Sequence, residues 1–184
     1  MVRDKKAPPM GIPPRKKEMR KEIKPIQTIS PKGMTSPEYE RKITMKAVAI
    51  LKTSGYGVLS TISQNGYPYG VPLSFVFIHN AIYFHSATEG QKLDAILNNS
   101  KVSFCVVGQT SILPDKFSTK YESVIVFGLA AEVFDDEKHT ALLEILNKYS
   151  SDYIEKGKEY IKNASNATKV IKISIEHISG KARK

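Results

Sequence analysis

Cysteine is almost missing from this chain. Cys105 stands alone among 184 residues, which excludes an internal disulfide framework and any zinc site built on clustered cysteines. A solitary thiol fits a reducing compartment, so a cytoplasmic protein is expected. No apolar run approaches the roughly 18 residues that a membrane-spanning helix needs. The basic N-terminus has no apolar stretch ahead of a cleavage site and does not read as a secretory signal. The common chemical signatures are missing as well: there is no HExxH, no phosphate loop ending in GK[ST], no GxGxxG and no GxSxG. His79, His85, His139 and His177 are scattered without metal-ligand spacing, so no metal site is expected. A hydrolytic triad built on Cys105 or a serine would lack local support. At 41% hydrophobic and 25% charged, the composition is that of a globular protein, not of a coiled coil, a collagen or a fully disordered chain.

What is present is unevenly spread. Residues 1–46 hold 13 basic and 5 acidic residues, whereas residues 47–184 hold 15 and 13, so the net charge of +10 belongs mostly to the N-terminal part. Seven of the ten prolines lie in the first 37 residues. Proline at that density blocks long helices and strands, and few apolar residues are available to offset ordering entropy. The reading is a basic arm over residues 1–39 and a folded domain over 40–184, with one short helix allowed at Arg15–Lys24. The arm is either a solvated extension that wraps a partner or a contact to nucleic acid or an anionic surface. It lacks the interleaved aromatics of a stacking surface, so nucleic acid is not the expected partner.

In the domain, Ile43, Val48, Ile50 and Leu51 predict an amphipathic helix over Glu40–Ser54. Gly57–Ser63 reads as a strand, and Asn65-Gly66 as a hairpin turn, because both residues tolerate positive φ. Tyr69–Ile78 reads as one central strand, with Val71, Leu73, Phe75 and Phe77 on one face and Ser74, Val76 and Ile78 on the other. His79-Asn80 turns into Ala81–His85, completing a meander. Thr88 and Gln91 match a capping box for a short helix to about Asn98. Lys101–Val107 is a strand with Cys105 as a small core residue. Gly108–Lys120 reads as a long loop and Tyr121–Phe134 as a strand. Asp135 or Asp136 caps a helix to Tyr149, with Ala141, Leu142, Ile145 and Leu146 on its buried stripe. A second helical stretch covers Ser151–Lys162. Lys169–Ile178 closes the chain, with Ile171, Ile173 and Ile175 alternating against polar residues. Six strands with peripheral helices predict a mainly β fold, a six-stranded antiparallel barrel.

The most unusual stretch is Tyr83–Asp94, YFHSATEGQKLD. A strand ends in His85-Ser86 and a helix begins with Lys92 in its first turns. Helix-start amides attract phosphate, and Ser86, Thr88 and Lys92 would add donors. The same residues also read as an ordinary capped strand-to-helix join. His85 is either a hydrogen-bonded rim residue or a neutral imidazole beside a ligand ring. Tyr121-Glu122-Ser123, after the long loop, reads as functional or as a dimer edge.

Five motifs now converge: GVLST (Gly57–Thr61), NGYPYGVPLSFVF (Asn65–Phe77), IYFHSATEGQKLDAI (Ile82–Ile96), SVIVFG (Ser123–Gly128) and IEHISGKAR (Ile175–Arg183). Together they resemble the nitroimidazole-resistance (Nim) branch of the pyridoxamine 5′-phosphate oxidase-related flavoproteins. The resemblance implies an FMN-binding split barrel acting as a homodimer, with flavin at the subunit interface. It implies that Tyr69, Val71, Pro72, Leu73 and Ser74 lie beside the isoalloxazine ring, and that Phe84, His85, Ser86, Gln91 and Lys92 hold the phosphate side. Ser123 falls at a partner-subunit contact where a glutamine is usual, with Tyr121 next to it. The arginine that the oxidases carry near Tyr69 is missing, and their C-terminal arginine and histidine pattern is not recognisable in ISGKARK. This argues against vitamin oxidation. The implied activity is an oxidoreductase reducing a nitro-aromatic or other small molecule, with NADH or NADPH as electron donor and His85 as proton donor or relay. A flavin reductase or pyridoxamine-phosphate-oxidase-like enzyme is the alternative within this class. Outside it stands a non-enzymatic flavin or haem binder, with His85 or His177 as axial ligand.

Overall fold

The computed structural model describes residues 37–183, with side chains from residue 45 onward. Nearly all of the basic arm, including the short helix expected at Arg15–Lys24, lies outside the described residues. Two hairpins are set by their turns. Strand β1 (Gly57–Ile62) pairs antiparallel with β2 (Pro68–Leu73). Their loop is closed by the Gly66 amide donating to the Ser63 carbonyl at 2.8 Å, with Gly66 at φ 85. Strand β3 (Val76–Ile78) pairs with β4 (Ala81–Ser86) through His79 and Asn80 at φ 49 and 57. That is the doubly left-handed turn which matches strand twist. Helix α1 (Pro37–Thr53) buries Ala47 and Leu51, one turn apart, in the barrel core.

The sheet has seven strands in the order β2-β1-β5-β6-β7-β4-β3. Strands β5 (Lys101–Leu113), β6 (Ser118–Val133) and β7 (Lys169–Arg183) are its long staves. The two edge strands, β2 and β3, are consecutive in the chain and are not paired with each other. The sheet therefore curls round one core, drawn from β1, β5, β6, β7 and β4 together with α1 and helix α2 (Gln91–Asn98). It stays split at Ser74-Phe75. A second core lies outside, where helix α3 (Asp135–Tyr149) and helix α4 (Ile154–Ala164) cover β3, β4 and β7 through Val76, Tyr83, Ala141, Leu142 and Ile161.

Several expectations change. The single central strand Tyr69–Ile78 is two edge strands, because the Phe75 backbone is bonded by α3 side chains and not by a neighbouring strand. Its N–H donates to the Tyr149 hydroxyl at 2.9 Å, and its carbonyl accepts from Lys148 Nζ at 2.9 Å. The count is therefore seven strands and the barrel is not closed. The expected loop Gly108–Lys120 continues the β5–β6 ladder from Thr110↔Tyr121 to Leu113↔Ser118, past a register shift after Val107. The Thr88 capping box is not formed: Gly90 holds the cap position of α2 with no side-chain cap. Likewise Phe134, not an aspartate, precedes α3, and Asp135 takes the left-handed corner at φ 48. Cys105 is half-buried on the outer face of β5, opposite to the face of Val102, Phe104 and Val106, and burial pushes its thiol pKa up. In β6 the register slips between Phe127 and Gly128, and a Cβ at Gly128 would fall 2.1 Å from the Ser174 carbonyl oxygen.

The Phe75 anchor generates a stability prediction. Tyr149→Phe removes the acceptor for a buried amide, so it should lower unfolding free energy by about 1–3 kcal/mol. Tyr67→Phe, at an exposed ring, should leave it within about 0.5 kcal/mol. Urea denaturation of the two variants checks this.

Candidate functional site

Strand β4 ends by sending adjacent side chains into different layers. Ile82, Phe84 and Ser86 face the barrel core, and Tyr83 and His85 face the α3–α4 layer, as strand alternation requires. Ser86 is 5% exposed and its Oγ has no hydrogen-bond partner, an uncommon state for a buried hydroxyl. The turn that follows reaches Gly90 at φ 131, a conformation open to glycine. Helix α2 starts there with the Leu93 amide on the Gly90 carbonyl at 2.8 Å. No side chain caps it, so the first-turn amides of Gln91 and Lys92 lack an intrahelical acceptor. Lys92 is half-buried and pairs with no carboxylate among the described residues. A buried hydroxyl, two free amides, a helix dipole and an ammonium thus belong to one strand–turn–helix segment. This donor set fits a phosphate ester, although Glu89 before the cap and Asp94 in the first turn of α2 place two carboxylates in the same segment.

On the other side of β4 a cleft of about 600 Å³ opens between α3 and α4. Ser74 and His85 line it from the sheet, and Leu142, Leu146, Tyr149, Tyr153, Lys156 and Tyr160 line it from the helices. His85 is exposed at the cleft wall, and partial desolvation there and, secondarily, the nearby Lys92 cation hold its pKa below the ordinary value of 6.5, so the neutral form predominates at pH 7. Among the described residues no group of three or more His, Cys, Asp and Glu side chains is placed to hold a metal.

A profile of the pyridoxamine 5′-phosphate oxidase family matches residues 45–182. The chain belongs to this family. Among solved structures it is similar to a candidate 5-nitroimidazole antibiotic resistance protein of Bacteroides thetaiotaomicron, with 24% identity and TM-score 0.64 over 74% of this chain and 81% of that one. It is also similar to a FAD and heme binding protein of Mycobacterium smegmatis (18%, TM-score 0.65, 82% of this chain and 73% of that one). A third similar structure is the flavocytochrome Anf3 of Azotobacter vinelandii (21%, TM-score 0.65, 76% and 67%). At these identities the structures establish the shared fold. No curated protein matches the chain. The family's split-barrel architecture is the one described above.

Within this oxidase-family barrel the residues singled out from the sequence fall into separate groups. Ser86, Gln91 and Lys92 lie along the β4–α2 turn, and Ser74 and His85 share the cleft. Phe84 is fully buried in the core, and Val71 and Leu73 pack inward against it, leaving the exposed Pro72 on the opposite face of β2. Tyr69 pairs with Thr61, away from the cleft. Tyr121 and Ser123 pair with Arg183 and Lys181, whereas Ser86 pairs with Lys169, so they lie toward opposite ends of β7. His177 sits on the outer face opposite Phe127, with its Nε2 buried and unpartnered. Sequence reasoning missed Tyr149, Tyr153, Lys156 and Tyr160, although tyrosines four residues apart share a face of a helical stretch.

The His85 environment has a defined pH signature. Its depressed pKa contributes stability that is present above the ordinary histidine value and is lost as pH falls through the folded value. An NMR titration should find its midpoint below 6.5. Lys92→Ala should raise the midpoint without restoring it fully, because the larger cause, burial, remains.

Proposed function

We propose that the protein is a homodimeric flavoprotein that binds FMN and acts as an oxidoreductase on small aromatic substrates, nitro-aromatics among them. The observation that carries this reading is the Ser86 hydroxyl, buried without a partner beside the uncapped start of α2. A phosphomonoester meets each unmet need: acceptor oxygens for Ser86 Oγ and for the Gln91 and Lys92 amides, and negative charge for the ammonium and the helix dipole. Family membership and neighbours described as FAD-binding or flavocytochrome support a flavin over another phosphate ester. Bound flavin would supply the electron transfer, with NADH or NADPH as the reductant class. The chain would supply position and proton control. His85, neutral and on the cleft wall, is the residue suited to hold or release one proton beside a ligand ring.

Two observations support the homodimer. The outer face of β5 and β6 exposes Val107 (58%), Ile125 (37%) and Leu129 (37%), and no helix among the described residues packs there. The positions pairing with Ser86 and Ser123, Lys169 and Lys181, are separated by roughly 40 Å of extended strand. Tyr121 of the partner subunit and Ser123 of the partner subunit would then complete the site of the first copy.

Freshly purified protein should be yellow and should release FMN on denaturation, identified chromatographically against FAD and riboflavin. Lys92→Ala and Ser86→Ala should each weaken FMN binding about 10- to 100-fold, the loss expected for one hydrogen bond to a charged group. His85→Ala should cut nitro-aromatic turnover by about 100-fold while leaving FMN content near wild type. Variants that keep both full FMN and full activity contradict the assignment.

For the dimer, Ile125→Asp combined with Leu129→Asp should shift sedimentation from dimer to monomer and strip FMN in the same step. A monomeric variant that retains the cofactor contradicts an interface site.

A further inference from the structure

We propose that the cleft between α3 and α4 is a binding site for a planar aromatic molecule of two or three rings bearing an anionic or electron-accepting substituent, carboxylate or nitro. The cleft measures about 600 Å³, within the roughly 300–1,000 Å³ typical of sites for drug-sized ligands. A single five-membered ring would leave most of it empty. Leu142, Leu146 and Ile161 form an aliphatic wall, and α4 seats closely on α3 because residue 157 is glycine: a Cβ there would fall 2.1 Å from a Leu146 methyl. Tyr153 and Tyr160 line the same cleft although they are 67% and 71% exposed. Two tyrosine rings held half in solvent at a cleft are suited to stacking on a flat ligand, where an aromatic pair contributes beyond simple burial.

The charge pattern selects the substituent. Among the described residues no Asp or Glu lines the cleft, whereas Lys156 does, and the Lys92 cation stands near His85 at the sheet end. A negative or electron-accepting group is therefore favoured there and a cationic one is not. The inference deepens the flavin reading, on which the ligand's role as a reaction partner rests, because His85 stands between this cleft and the phosphate cradle. Binding itself does not require flavin.

Isothermal titration of the full-length protein with 4-nitro-1-naphthoate and with uncharged 1-nitronaphthalene tests the site. Wild type should bind both, the acid more tightly. Tyr153→Ala combined with Tyr160→Ala should weaken both at least tenfold with FMN content unchanged. Lys156→Glu should weaken the acid at least fivefold and the neutral compound less than twofold. No binding to wild type, or undiminished binding in the tyrosine double variant, overturns the site. Equal effects of Lys156→Glu on the two probes overturn the choice of substituent. Flavin absorbance in the same samples separates the two readings: ligand binding without flavin sinks the flavoprotein and leaves the cleft, and retained flavin without ligand binding does the reverse.

Discussion

Phe75 carries two backbone hydrogen-bonding groups at a point where the sheet offers no neighbouring strand, and its side chain is fully buried. An unpaired buried amide costs roughly as much as a lost hydrogen bond, so the split barrel depends on another element to satisfy it. The C-terminal turn of α3 does so. Tyr149 accepts from the Phe75 amide and its hydroxyl also meets the Gly55 carbonyl, while Lys148 donates to the Phe75 carbonyl and lies 4.2 Å over the Phe75 ring. Burial holds the Lys148 pKa below its usual range, the expected cost of placing an ammonium there. The Phe75 ring in turn meets Phe104 of β5 edge-on at 4.9 Å, tying the junction to the core.

This closure also builds the site. Fixing Ser74-Phe75 against α3 places the end of β2 beside the end of β4, so Ser74 and His85 share one cleft with Tyr149. Strand alternation then divides two tasks between neighbours. Ser86 is buried on the inner face, and His85 faces outward toward α3 and α4. The proposed phosphate-binding turn and the cleft thus begin from adjacent residues of a single strand end. The N-terminus of α3 is held separately, by Tyr83 and Lys172 both donating to Glu137 Oε1 at 2.8 and 2.7 Å.

Much of this was legible in the residues, and the failures have physical reasons. The hairpin at Asn65-Gly66 (with Gly66 alone of the two at positive φ), the His79-Asn80 turn, the Ile171–Ile175 alternation and the strand–turn–helix around Ser86 all follow from local chemistry. The split at Phe75 does not, because the Val71, Leu73, Phe75, Phe77 alternation runs through the break in phase and the deciding partner, Tyr149, is distant in sequence. The β5–β6 extension escaped because Gln109, Thr110 and Ser111 are exposed and polar, so no buried face marks them as strand. The cleft escaped because its tyrosines belong to two helices whose meeting is a tertiary fact.

Comparing FMN with riboflavin isolates the phosphate that the β4–α2 turn is proposed to hold. The two ligands share the ring system and the ribityl chain and differ only in the phosphoryl tail. Titrated into cofactor-free protein, FMN should bind at least about 100-fold more tightly than riboflavin, since one charge-assisted bond and the helix dipole together are worth about 3 kcal/mol. Equal affinities would contradict the account.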